Sequence, residues 1–142
     1  SALLFICGFV VAGLDFRFGW STMPTWVVIV GCVILVLAYA LYAEVMRENA
    51  YLSRTIEVSE DQKVIDTGLY GIVRHPMYAV TVFMFLSIPL ILGSFISFVV
   101  FLFYPVLIAI RILNEEKFLS QNLNGYTEYK QKVKYRIIPF IW

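Results

Sequence analysis

Apolar residues in this chain are grouped into four long blocks without a single charge, at 2–14, 26–42, 77–92 and 95–110. Alternation at period two would indicate strands, and a one-sided stripe would indicate helices on a soluble core; charge-free blocks of this length indicate helices written for lipid. A helical span needs about 20 such residues. The second block reaches that length if extended to Met46, with Glu44 near its exit. The first is short, and the chain starts at Ser1 in the middle of the run, which points to a trimmed start. The third and fourth blocks are separated only by Gly93-Ser94, so they are expected to form an antiparallel helical hairpin. Pro89 and Pro105 should kink its two helices, which membrane helices tolerate when neighbours re-satisfy the backbone. The pattern predicts an all-α, polytopic transmembrane helix bundle with a helical hairpin and a cytosolic C-terminal helical segment, forming a single domain over 1–142.

The polar residues fall mainly into two segments, 47–76 and 111–142. The first mixes Glu57, Glu60, Asp61 and Asp66 with Val58, Val64 and Ile65, lacks a strong period, and reads as a structured interfacial loop. The second continues the fourth helix. Over 114–123, Phe118, Leu119 and Leu123 share one side, as in an amphipathic helix lying on a membrane surface. Tyr126, Tyr129, Val133 and Tyr135 follow, and Pro139 ends the pattern. The turn after the first block carries Gly19, Ser21 and Pro24, with Trp20 and Trp26 suited to the headgroup boundary. There is no internal repeat.

Composition agrees. Apolar residues make up 61% and charged residues 15%, against about a quarter charged in soluble domains, and the mean hydropathy is +0.81. A formal net charge of +1 argues against nucleic acid as a partner. Every Lys and Arg except Arg17 lies between the second and third blocks or after the fourth. The positive-inside rule then puts both polar segments on the cytosolic face of a multi-pass integral membrane protein. Cys7 and Cys32 sit inside apolar blocks without metal-ligand spacing, and read as small hydrophobes. No metal is expected. The first block lacks the basic flank and small-residue cleavage site of a signal peptide.

Two clusters carry potential chemistry. Gly68-Leu69-Tyr70-Gly71-Ile72-Val73-Arg74-His75-Pro76-Met77-Tyr78 enters the third block, and Arg111-Ile112-Leu113-Asn114-Glu115-Glu116 leaves the fourth. Ionisable groups at membrane depth are costly, so function is their default reading. Pro76 suits the first turn of a helix, and Arg111 and Glu115 lie four apart on one helical face. Plainer readings exist for each: headgroup anchoring by Arg74 and His75, an ordinary i,i+4 pair, an aromatic belt of tyrosines. Convergence favours a site, because the short hairpin brings both clusters to one membrane face. Carboxylates and tyrosines there suit an ammonium or sulfonium group, and an arginine suits a carboxylate or phosphate. A Gly-rich phosphate loop, a Ser-His-Asp or Cys-His set and a Cys/His metal cluster are all absent from the sequence, so hydrolysis and phosphoryl transfer lack their usual apparatus.

Gly-x-Tyr-x-x-x-Arg-His-Pro-x-Tyr, a hairpin, Arg-x-x-x-Glu-Glu and a Tyr-x-x-Tyr segment before a Pro-containing tail resemble the isoprenylcysteine carboxyl methyltransferase family, which belongs with the membrane phospholipid methyltransferases. The resemblance runs from Arg54 to Trp142. Ala79-Val80 depart from it, since a small residue and then Gly often stand there. The resemblance implies that S-adenosylmethionine binds among residues 54–78 and 111–142. Gln62, Lys63, Val64 and Ile65 would wrap it, Tyr70 would line the site, and His75, Pro76, Met77 and Tyr78 would contact it. Glu115 would bind it from the opposite helix, and Arg111 would hold the acceptor carboxylate as the catalytic residue. The implied partners are membrane lipids and a lipid-like or prenylated methyl acceptor. The residues leave three rivals open: a lipid amine N-methyltransferase with the same cofactor, an NADPH-dependent membrane reductase, and a non-catalytic membrane subunit.

Overall fold

A computed structural model of the chain describes residues 2–52 and 56–142. Arg54, where the family resemblance begins, lies outside the described residues. Every regular element among them is helical: α1 (Ala2–Phe18), α2 (Thr25–Glu48), α3 (Pro76–Ile91), α4 (Phe95–Phe101), α5 (Phe103–Asn122) and α6 (Tyr126–Lys132), with a 3-10 turn at Gly68–Gly71. The all-α expectation holds. The chain divides into two compact units, residues 1–40 with 80–108, and residues 41–79 with 109–142.

The first unit is almost free of charge, with Asp15 and Arg17 its only charged residues. α1 runs four residues past the expected block because Asp15 is absorbed rather than exposed: its side chain is 1% accessible. Ser21 donates to it from its backbone N–H (2.6 Å) and its hydroxyl (2.5 Å), and the Ser94 hydroxyl donates as well. Ser94 also caps α4 by accepting from the Ser97 N–H at 3.1 Å. One carboxylate therefore fastens the α1–α2 turn to the α3–α4 turn. Gly19, at φ +63°, closes α1 with its N–H on the Asp15 carbonyl at 2.7 Å. α1 packs on α4. The approach requires glycine, because a Cβ on Gly8 would stand 2.3 Å from Phe101 Cε2.

The expected fourth helix is broken at Leu102 into α4 and α5. Pro105 accounts for the break: it has no N–H for the Phe101 carbonyl, and its ring crowds that group. Pro89 lies within α3 without ending it. The region Phe95–Asn122 and α2 are both long and apolar enough to cross a membrane. Only 11% of the most apolar stretch of α2 is buried, and 28% of the other, so neither is the core helix of a soluble protein. Side chains such as Phe16 (88% exposed) and Val36 (68%) face outward, a surface that suits lipid. α1 and α3 are also apolar, but have 17 and 16 residues.

The second unit carries the remaining charges. Its 56–75 segment has no long element, as the missing period predicted. The surface helix expected over 114–123 is instead the end of α5, because Leu119 and Leu123 find apolar partners in Val58, Val64, Tyr126, Tyr129 and Val133. Gly125, at φ +82°, turns the chain into α6.

Candidate active site

The 3-10 turn starts at Gly68, where φ is +55° and a Cβ would stand 2.8 Å from Glu48 Cδ. That close approach lets the neighbouring Thr67 hydroxyl donate to Glu48 at 2.7 Å. The turn is held from its other side by Tyr129, whose hydroxyl donates to the Tyr70 carbonyl at 2.7 Å. The chain then leaves the turn and reaches Arg74 and His75. Their backbone N–H groups donate to the Tyr135 and Arg136 carbonyls at 2.9 and 2.8 Å, which ties the start of α3 to the C-terminal segment.

Arg74 is buried. Its guanidinium donates to Glu116 at 2.7 Å and to the carbonyls of Val133 and Lys134 at 2.7 and 2.8 Å. Glu116 also meets His75 Nε2 at 3.2 Å and Arg136 Nε at 3.0 Å. The headgroup-anchoring alternative for Arg74 and His75 is therefore not what the structure shows. Both are internal and face a carboxylate that is 4% exposed.

Glu115, one residue earlier on α5, is turned to a different task. Tyr78 donates its hydroxyl proton to Glu115 at 2.5 Å and accepts from Arg111 Nε at 2.7 Å. The Arg111 guanidinium also lies 5.7 Å from the centre of the Tyr78 ring. The two sequence clusters thus meet twice, through Arg74/His75–Glu116 and through Tyr78–Glu115/Arg111.

A cavity in this unit is lined by Gln62, Lys63, Val64, Ile65, Tyr70, His75, Met77, Tyr78 and Glu115. Pro76 and Arg111 stand outside its wall. Pro76 begins α3, and Arg111 is tied to the wall by its bond to Tyr78. Residues without an individually expected role complete it, Asn49, Glu57, Leu119, Leu123, Tyr126 and Tyr129 among them, and all of these but Asn49 fall within the expected spans 54–78 and 111–142. Gln62 has a double task, since its side chain also accepts from the Ser59 N–H at 2.8 Å and closes the turn before the cavity. Burial pushes the Tyr70 phenol up to about 12 and raises those of Tyr126 and Tyr129 too, with nearby Glu116 adding to the rise at Tyr126. All three stay neutral hydroxyls over any working pH. The hydroxyls of Tyr70 and Tyr126 are buried without a hydrogen-bond partner among the described residues; the Asn49 side chain lies near that of Tyr70 but outside bonding geometry. No group of His, Cys, Asp and Glu able to hold a metal occurs among the described residues.

Glu116, part of the second cluster but given no site role by the resemblance, is the residue of most consequence for the site's framework. Its signal was present: two basic side chains entering an apolar helix need a counter-charge, and Arg-x-x-x-Glu-Glu offers two acids.

The described residues form an all-helical chain with lipid-suited faces and a polar, carboxylate-bearing cavity. The solved eukaryotic intramembrane Ras methyltransferase ICMT (isoprenylcysteine carboxyl methyltransferase) matches it with a TM-score of 0.78 at 22% identity, over 99% of this chain and 52% of that one. The model of the phospholipid methyltransferase family matches residues 26–125. The chain belongs to that family. It is 30% identical over 98 residues to the uncharacterized protein YpbQ of Bacillus subtilis, covering 68% of this chain and 58% of YpbQ. It is also 30% identical over 91 residues to the Delta(14)-sterol reductase TM7SF2 of Mus musculus, covering 62% of this chain and 22% of the reductase. The chain thus spans about a fifth to three-fifths of the curated relatives it matches.

Proposed function

We propose that the protein is an S-adenosylmethionine-dependent methyltransferase acting on the carboxylate of a prenylated cysteine or a similar lipid-linked acid. The observation that carries this reading is the Tyr78 hydroxyl, shared between a carboxylate on the cavity wall, Glu115, and an arginine, Arg111. A cation site and an anion site stand side by side, which is what a sulfonium donor and an acid acceptor need.

The cavity residues fit the cofactor by chemistry. Glu115, Glu57 and the faces of Tyr70, Tyr78, Tyr126 and Tyr129 suit ammonium and sulfonium charge, and Leu119, Leu123 and Val64 suit a flat ring. Two buried hydroxyls lack partners among the described residues, as expected of groups that a ligand completes. When bound, the cofactor would supply an electrophilic methyl group.

The protein's own part is positioning. Glu115 holds positive charge near Tyr78, while Arg111 holds the acceptor carboxylate through its planar fork. A carboxylate is already ionised at neutral pH, so no side chain needs to remove a proton. Orientation and exclusion of water do the remaining work. His75 forms part of the wall and Glu116 supports it from behind. The reading includes several membrane crossings, with the cavity opening to the cytosolic face, supported by the uneven placement of Lys and Arg.

The family match also supports a second acceptor, a phospholipid amine. Here Arg111 discriminates. A fixed cation beside an amine is unfavourable, whereas beside an acid it is needed. Calorimetric titration of S-adenosylhomocysteine into the detergent-solubilised protein should show binding, and its absence would overturn the cofactor reading. Labelled methyl transfer should then appear on a prenylcysteine. Transfer to phosphatidylethanolamine instead would overturn the acid acceptor. Arg111→Lys should leave S-adenosylhomocysteine affinity nearly unchanged and cut turnover steeply, since the bidentate fork is lost. Arg74, which also lines the cavity, is already engaged by Glu116 and two carbonyls.

A further inference from the structure

Tyr126 and Tyr129 stand one helical turn apart on α6. Both are buried, both line the cavity, and their rings are 5.8 Å apart. Their hydroxyls differ. That of Tyr129 is satisfied by the Tyr70 carbonyl at 2.7 Å. That of Tyr126 has no hydrogen-bond partner among the described residues, in a side chain only 4% exposed. A phenylalanine would fill the same space without leaving a polar atom unpaired, so folding alone gives no reason for the oxygen. Leu119, Leu123 and Val64 pack around the Tyr126–Tyr129 pair, while Glu116, Arg74 and Glu115 lie near enough to act on the Tyr126 phenol. The cavity wall here is a slot with apolar and aromatic faces and one neutral hydroxyl that has no partner among the described residues. Such a slot takes a planar heteroaromatic ring, with apolar and aromatic faces against the ring and a hydroxyl for a ring nitrogen.

We infer that the Tyr126 hydroxyl is a ligand-binding group that donates to a ring nitrogen of the cofactor's purine base. The inference rests on the cofactor reading above and adds the residue that reads the base. The raised phenol, held up by burial and by Glu116, keeps the proton on the oxygen and makes it a donor at any working pH. Tyr129 is the structural counterpart, spending its proton on the turn that carries Tyr70.

The test sets Tyr126→Phe beside Tyr129→Phe in the full chain, with S-adenosylhomocysteine and its 1-, 3- and 7-deaza analogues as probes. Removing an unpaired buried hydroxyl should leave the ligand-free melting temperature of Tyr126→Phe unchanged or higher, while affinity for S-adenosylhomocysteine falls roughly three- to tenfold. Tyr129→Phe should instead lower the ligand-free melting temperature. One deaza analogue should bind wild type and Tyr126→Phe equally, because the ligand has already lost the partner atom. Full affinity in Tyr126→Phe would overturn the inference while leaving the cofactor reading intact. A ligand-free melting temperature lowered as far as in Tyr129→Phe would overturn it too, by showing a structural partner. Equal discrimination by both proteins against all three deaza analogues would remove the ring nitrogen as the contact. Failure of wild type to bind S-adenosylhomocysteine would sink the cofactor reading and this inference with it.

Discussion

Two acidic side chains are buried among the described residues, Asp15 in the first unit and Glu116 in the second, at 1% and 3% exposure. They are satisfied in opposite ways. Asp15 is met by neutral donors, the Ser21 N–H and the hydroxyls of Ser21 and Ser94. Each donor belongs to a turn, so the group works as a fastener between two connections of a nearly uncharged unit. Glu116 is met by Arg74, His75 and Arg136. Those partners have further ties: Arg74 to two carbonyls of the C-terminal segment, and Arg136 to the Trp142 ring at 5.0 Å. A carboxylate held by serines fixes a local geometry. One held by cations gathers three distant pieces of chain and fixes the wall of a cavity. The comparison suggests that charge in this protein is spent where a site must be built, and hydroxyls where only a turn must be held.

The most severe way to break that contrast is Glu116→Leu. It leaves Arg74 and His75 buried without their counter-charge, and loss of one partner of a buried pair costs about 3–5 kcal/mol. Thermal unfolding in detergent should show a large drop in stability, together with loss of S-adenosylhomocysteine binding. A stable variant that still binds would mean the cations had found other partners, and the hub would be dispensable.

Asp15→Asn should cost less, about 1.5–3 kcal/mol for the charge-assisted bonds it weakens. Stability should fall, while cofactor affinity measured below the melting range stays at the wild-type value. Affinity falling in step with stability would erase the distinction between fastener and site.

Glu115→Gln sharpens the comparison within α5 itself. Neighbouring Glu116 has the structural task, so this variant should keep its melting temperature and lose roughly tenfold to a hundredfold in S-adenosylhomocysteine affinity, the worth of one charge-assisted bond. A large loss of stability with unchanged affinity would exchange the roles of the two glutamates.

The smallest effect is expected at the exposed Lys132–Asp66 pair, 2.7 Å apart. Lys132 holds the Asp66 carboxyl below its ordinary value, first by a hydrogen bond and then by charge. A carboxyl lowered in the folded state stabilises above its unfolded pKa, and that contribution disappears as pH falls through the folded value. Lys132→Ala should therefore slightly lower the melting temperature near neutral pH and converge with wild type in acid. A gap that widens on acidification would give the pair the wrong sign.

Much of this was legible in the chain itself. Charge-free blocks in a sequence of this hydropathy become apolar helices whatever surrounds them, because lipid-facing backbone must satisfy its own hydrogen bonds. Gly93-Ser94 allows nothing but a tight turn. The polar boxes around His75 and Arg111 had to be near one another once the hairpin formed, and they supply Tyr70, Arg74, His75, Met77, Tyr78 and Glu115 to the wall of the cavity. What only the tertiary structure decided depends on contacts between distant positions. Glu115 and Glu116 are the same residue type at adjacent positions. About 100° of helical rotation separates them, which sends one to Tyr78 and the other to Arg74, and no local pattern says which. Arg136 joins the hub from 20 residues further on, and Asp15 finds Ser94 across 79. Tyr126 and Tyr129 look alike in the sequence, and only the place of the Tyr70 carbonyl makes one hydroxyl structural and leaves the other without a partner among the described residues.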